Sequence, residues 1–202
     1  MKILLFGGTF DPPHIGHKAL LQGAIKAVQP DLVLVEPAGI PPHKAAAHTA
    51  AAVRLAMCRT FLSCGKNIKI DQTELRRAGK SYSIDTVNTL RRRYPGSTLY
   101  FCMGSDMLLY FKMWKSWQQL LQKVVLVVQC RRTEDIAACS AFAQQLTAAG
   151  GRVLFTTTDI VEVSSTEIRA AVHSGKGLSR LVPPDVARII LRKNLYTTEA
   201  NT

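Results

Sequence analysis

The chain has 202 residues, 47% hydrophobic and 20% charged, enough apolar material for one medium-sized core and unlike the composition of disordered or fibrous chains. A net charge of +12 favours anionic ligands. The apolar runs are too short to span a bilayer or to serve as a secretion signal, so a cytoplasmic protein with no membrane partner is expected. Five cysteines without a C-x-x-C pair predict reduced thiols rather than a disulfide frame.

Strand-like runs at 2–6, 31–36, 67–71, 98–103, 124–129 and 152–156 alternate with amphipathic stretches at 17–28, 49–63, 83–94, 106–121 and 134–149. That alternation predicts an α/β fold, a parallel sheet with helices on both faces. Two further helices are expected at 166–173 and 184–193. The whole chain, 1–202, reads as a single domain with 164–202 as a C-terminal helical part. Ligands of such sheets bind beyond the carboxyl ends of the strands.

The first strand runs into Gly7-Gly8-Thr9-Phe10-Asp11-Pro12-Pro13-His14-Ile15-Gly16-His17. Gly7 and Gly8 let the backbone turn and approach a ligand closely. The helix that follows points its N-terminal N–H groups and partial positive charge at the strand end, a natural phosphate receptor. His14 and His17, three residues apart, can face the same anion. They also have the spacing of two metal ligands, but no third ligand accompanies them, so no resident metal is expected. The loop lacks the Gly-Lys-Ser/Thr of a Walker loop and the G-x-G-x-x-G of a dinucleotide fold.

After the second strand, Pro41-Pro42-His43-Lys44 puts a flexible cation, Lys44, at a strand end, where it can meet a phosphate. Ser81-Tyr82-Ser83-Ile84-Asp85-Thr86 opens a helix, with Ser81 or Ser83 as N-cap and a carboxylate receptor at the helix start. Gly104-Ser105-Asp106 follows the fourth strand: Gly104 permits close approach of a base or ribose and Asp106 can accept from hydroxyls, or both can simply cap a helix. Trp114 and Trp117, at i and i+3, suit helix packing. Near the C-terminal end, Val163-Ser164-Ser165-Thr166-Glu167-Ile168-Arg169 offers Ser165 as N-cap, a nest of hydroxyl and N–H donors, and Arg169 one turn in as a bidentate anion clamp. The same string also satisfies a plain capping box. The basic clusters at Arg76-Arg77, Arg91-Arg92-Arg93, Arg131-Arg132 and Arg188 to Lys193 are compatible with a generally basic surface.

The string Gly7 to His17 resembles the H-x-G-H signature of the nucleotidylyltransferase superfamily, and more narrowly the bacterial nicotinate mononucleotide adenylyltransferase family. The stretches 41–44, 81–86, 104–108 with Trp114, and 163–169 resemble that family's later motifs in the same order, with Val163 where isoleucine is usual. The resemblance implies a Rossmann-like nucleotidylyltransferase fold and adenylyl transfer from ATP, with Mg²⁺, to nicotinate mononucleotide in NAD biosynthesis. It implies His14, His17, Lys44 and Arg169 as catalytic. The ATP site would comprise Gly7, Gly8, Thr9, Phe10, His14, His17, Gly104, Asp106, Ser164, Ser165, Thr166 and Arg169. The mononucleotide would meet Thr9, Lys44, Tyr82, Ser83, Thr86, Arg132 and a stacking Trp114. Nicotinamide mononucleotide or phosphopantetheine are alternative acceptors, and a basic RNA-binding protein without catalysis is the reading from another class. Retention of both motif histidines and Arg169 argues against that last reading, so nucleic acid is not the expected partner. A homo-oligomer is compatible with everything above.

Overall fold

The computed structural model of the chain describes residues 1–40, 49–130, 133–157 and 161–197. These form a six-stranded parallel sheet: β1 (Lys2–Gly8), β2 (Leu32–Pro37), β3 (Ile68–Ile70), β4 (Thr98–Gly104), β5 (Val125–Gln129) and β6 (Arg152–Phe155). The strand order is β3-β2-β1-β4-β5-β6, and every neighbouring pair is parallel. The chain winds outward from β1 in one direction and, from β4, in the other. A crevice therefore opens where β1 and β4 diverge at their carboxyl ends.

The period-two alternation of the strands sorts the core onto two faces. Ile3, Leu5, Leu34 and Phe101 pack against helices α3 (Ser83–Arg93), α5 (Trp117–Lys123) and α6 (Asp135–Ala148). Leu4, Phe6, Val33 and Val35 pack against α1 (Ile15–Val28) and the 3-10 segment Arg59–Cys64 that extends α2 (Ala51–Cys58). A smaller cluster of Met57, Ile168, Leu178, Val182, Val186 and Ile190 joins α2 to α7 (Ser165–His173) and α8 (Pro184–Arg192). The C-terminal helices are thus packed beside α2. No helix of the described residues is long and apolar enough to cross a membrane.

All six expected strands are present, with ends moved by one to two residues. Two helices differ from the expectation. The stretch 106–121 is not one helix but α4 (Ser105–Leu109), a 3-10 turn at Phe111–Met113, and then α5. Phe111 is completely buried and Trp114 turns extended to pack on Phe101 and Phe111, while Ser116 takes φ +53°. Burial of Phe111 and packing of Trp114 against Phe101 and Phe111 override helical periodicity here. The helix expected over 49–63 is α-helical only to Cys58. Cys102 is buried in β4 and Cys130 half-buried beside β5, and all five cysteines are free.

Candidate active site

The first strand–helix junction carries the densest chemistry. His14 is the N-cap of α1: the His17 N–H donates to His14 Nδ1, and the His14 N–H donates to His17 Nδ1, both at 3.3 Å. This is a capping box built from imidazoles instead of Ser and Glu. The rings stack at 3.6 Å between centroids. Because both Nδ1 atoms accept, the hydrogen of each ring sits on Nε2, the atom pointing away from the ring's own backbone. Two Nε2–H donors and the positive end of a fourteen-residue helix are thereby held together.

The loop before them is braced from several sides. Gly8 is required because a Cβ there would stand 2.8 Å from the Phe10 ring, whereas one at Gly7 would meet only ordinary contacts. The Phe10 ring is buried among Phe6, Phe61 and the edge of His17, so Phe10 can offer a nucleotide only its backbone. Arg54, 2% exposed, donates from Nη1 to the Thr9 carbonyl at 2.8 Å and from Nε to the Thr49 carbonyl at 3.2 Å.

The 163–169 motif meets this loop directly. Ser164, not Ser165, is the N-cap of α7, in a capping box with Glu167. The expected cap, Ser165, instead donates its hydroxyl to the Pro12 carbonyl at 2.9 Å, a tertiary partner that local sequence does not reveal. Arg169 Nη1 donates to the Asp11 carbonyl at 2.8 Å, and its Nη2 reaches Thr166 Oγ1 at 3.2 Å. His14, Gly16 and His17 line a narrow cleft together with Gln129, Cys130 and Val163. Gln129 ends β5 in register with Gly104.

The other half of the crevice lies across β2 and α3. Tyr82, not Ser81 or Ser83, is the N-cap of α3, with no side-chain cap bond. Ser81 is held off the helix start: its N–H donates to the Ile40 carbonyl at 2.8 Å, and its buried hydroxyl lies beside Glu74. Thr86 is buried, donates to Glu74 Oε1 at 2.8 Å and accepts from Arg77 Nη1 at 3.3 Å. Lys115 holds Nζ 4.3 Å above the Tyr82 ring centroid and 3.9 Å from an Asp85 carboxylate oxygen, beside Trp114. Gly39 has no room for a side chain, since a Cβ would lie 2.6 Å from the Glu74 carbonyl and the Ser81 hydroxyl.

Beneath this half sit two buried acids. The Glu74 N–H donates to Glu36 Oε1 at 2.8 Å, and Glu36 Oε2 is buried without a hydrogen-bond partner. Burial pushes the Glu36 carboxyl from its ordinary 4.5 up to about 8, against the Glu74 N–H and with the help of the Asp71 and Glu74 charges. Burial also raises Glu74. Glu36 therefore keeps its proton at neutral pH.

The cytidylyltransferase-like family profile matches residues 5–171 of the chain. A probable nicotinate-nucleotide adenylyltransferase of Exiguobacterium sibiricum is 37% identical over 198 residues, covering 98% of this chain and 100% of the relative. One from Halalkalibacterium halodurans is 40% identical, covering 98% and 92%. The chain belongs to the nicotinate-nucleotide adenylyltransferase family. Its fold matches that of the Plasmodium falciparum nicotinic acid mononucleotide adenylyltransferase solved with NaAD, with a TM-score of 0.77 at 19% identity and coverage of 96% and 97%.

In this family member the loop 7–17, Gly104 and 164–169 converge at the β1/β4 crevice, while Tyr82, Ser83, Thr86 and Trp114 lie toward the α3 side. Lys44 and Arg132 lie outside the described residues. Asp106 opens α4, where Ser105 donates to Asp135 Oδ2 at 2.7 Å. Sequence reasoning missed Asp11, Arg54, Gln129, Glu36, Glu74 and Tyr196. The available signal was a polar residue within or directly after an apolar run, as at Glu36, Arg54 and Gln129.

Proposed function

We propose that the chain transfers the adenylyl group of MgATP to nicotinate mononucleotide, giving deamido-NAD and pyrophosphate. An ionised 5′-phosphate oxygen of the mononucleotide attacks the α-phosphorus in line; the new P–O bond forms as the bond to the pyrophosphate oxygen breaks. No protein nucleophile or base is needed, so catalysis is positioning and charge stabilisation. The observation that carries this reading is the reciprocal His14–His17 box, which aims two Nε2–H donors and the α1 N-terminus at one anion.

In this reading His17 meets the α-phosphate, His14 the adjoining phosphates, and Lys44 the reacting groups. Ser164, Ser165, Thr166 and Arg169 hold the β/γ end, with Arg169 exchanging its bond to the Asp11 carbonyl for, or sharing it with, a phosphate oxygen. Gly7, Gly8, Thr9 and the Phe10 backbone cradle the nucleotide, and Gly104 and Asp106 face adenosine. Among the described residues no three His, Cys, Asp or Glu side chains converge as a cation cage. Mg²⁺ arrives as part of the nucleotide substrate, bound chiefly by phosphate oxygens. The pyridine ring stacks on Trp114, with Thr9, Tyr82, Ser83, Thr86 and Arg132 around the mononucleotide. The α3 N-terminus and Lys115 both favour a carboxylate over a carboxamide. The chain acts as one domain, with Ser165, Arg169, Leu181 and Tyr196 of its C-terminal part bonded to the phosphate loop and α1 start, in a cytoplasmic setting where ATP is at hand.

Pyrophosphate release with MgATP tests the proposal when nicotinate mononucleotide, nicotinamide mononucleotide and phosphopantetheine are compared. Strong preference for the nicotinate form is expected. Preference for another acceptor would overturn the pyridine-carboxylate assignment, and silence with all three would overturn adenylyl transfer.

A further inference from the structure

Tyr196 lies just beyond α8, far from the motifs in sequence, yet its phenol reaches the phosphate loop. The Tyr196 hydroxyl donates to Asp11 Oδ1 at 2.6 Å and accepts from Thr49 Oγ1 at 3.0 Å. Thr49 N–H closes the triangle by donating to Asp11 Oδ2 at 3.3 Å. Asp11 is 3% exposed and Thr49 5%, so the carboxylate has exchanged water for these donors. Burial, with Asp11 next to it, raises the phenol's pKa further, which keeps Tyr196 a donor. Asp11 stands three residues before His14, and the same short segment hands its Asp11 and Pro12 carbonyls to Arg169 and Ser165. Ile15 N–H, at the first residue of α1, donates to the Leu181 carbonyl. The segment is therefore tied to the C-terminal part by four hydrogen bonds, two at Asp11 and one each at Pro12 and Ile15, and of these four the Tyr196 bond is the one made to a side chain of the loop.

We propose that Tyr196 is a positioning residue for the adenylyl-transfer step, its phenol fixing Asp11 and, through the 9–14 loop, the placement of the His14–His17 pair at the ATP phosphates. A buried carboxylate that loses a donor must find another or draw in water, and either shifts the segment that carries it. Phosphate-transfer sites are sensitive to displacements of this kind, because their catalysis is positional. The Tyr196 ring also packs on the α2/α7/α8 cluster, so the hydroxyl and the ring have separable roles.

The test is Tyr196→Phe, which keeps the ring and removes the hydrogen bond. This inference rests on the adenylyl-transfer reading, so the parent enzyme is assayed first with its best acceptor; an inactive parent indicts that reading and not Tyr196. For Tyr196→Phe, kcat should fall about 10-fold or more. KM for ATP should rise, KM for the mononucleotide should stay within about two-fold, and Tm should drop by only a few degrees. Thr49→Val should give a smaller fall in the same direction, and the double variant should be no worse than Tyr196→Phe alone, as expected for one network. Unchanged kcat in Tyr196→Phe, an equal rise in both KM values, or additive losses in the double variant would overturn the proposal. If Tyr196→Phe does not fold, Thr49→Val decides, and parental kcat in that variant overturns it.

Discussion

The two halves of the crevice are built on opposite principles. The phosphate half, residues 7–17 with 164–169, consists of donors: imidazole Nε2–H groups, a helix N-terminus, serine hydroxyls and a guanidinium, with backbone carbonyls consumed as braces. The α3 half rests on acids: Glu36 and Glu74 lie buried beside Thr86 and Ser81, with the Glu36 carboxyl held protonated. The first half is braced by internal hydrogen bonds, which suits a step where charge moves between fixed positions. The second places buried acids beside Thr86, on the side of Tyr82 and Trp114, the residues proposed to meet the pyridine ring. In the proposed reaction, positioning falls to the first half and acceptor selection to the second.

If that division holds, damage to each half should appear in different kinetic constants. The largest effect is expected for His17→Ala, which removes an Nε2–H donor and breaks the capping box. Turnover should fall about 100- to 1000-fold, with ATP affinity changed far less. Steady-state kinetics and ATP titration check this; parental turnover would remove His17 from the reaction.

Trp114→Ala should act on the other half. Loss of the indole against Phe101 and Phe111 should raise KM for the mononucleotide about 10-fold and spare KM for ATP. Equal rises in both constants would make Trp114 a scaffold residue and blur the division.

Gly39→Ala should strain the α3 half without touching chemistry. The added methyl would meet the Glu74 carbonyl and the Ser81 hydroxyl at 2.6 Å, forcing the 36–40 and 74–81 segments apart. About 1–3 kcal/mol of stability should be lost in denaturant unfolding. The mononucleotide KM should rise while the single-turnover rate at saturation is kept.

The smallest effect, and the one that isolates the buried acids, is a pH dependence. The folded pKa of Glu36, about 8, lies above its ordinary 4.5, so the folded state binds the proton more tightly. Stability from this group is fullest below pH 4.5, declines as pH rises toward 8, and levels off above. Glu36→Gln removes the titration and keeps an acceptor for the Glu74 N–H. Its Tm should match the parent at pH 4.5 and exceed it by several degrees at pH 8.5, equivalent to about 1–2 kcal/mol once relaxation around the carboxylate is allowed for. Parallel Tm curves across that range would show that Glu36 is not held protonated.

Much of the molecule could be read from local sequence. The strands are legible because β2 and β5 are buried on both faces and so are almost wholly apolar, and the Gly7–His17 string specifies both a turn and the helix start that follows it. Periodicity failed at Tyr110–Ser116, where burial of Phe111 and packing of Trp114 on Phe101 won over a continuous helix. The caps differ from the local pattern at Ser165, whose hydroxyl goes to the distant Pro12 carbonyl, and at Ser81, whose N–H is tied to the Ile40 carbonyl 41 residues before it. What the amino-acid order by itself determined is the local matter: which segments bury both faces, where the chain must turn, and which residues can bind phosphate. Only the tertiary structure decided which groups brace that phosphate loop and which acids lie beneath Thr86 and Ser81. Tyr196 with Asp11, and Glu36 with Glu74, are separated by 185 and 38 residues, and the driving force for each pairing is the cost of burying a polar group alone, which no short window of sequence contains.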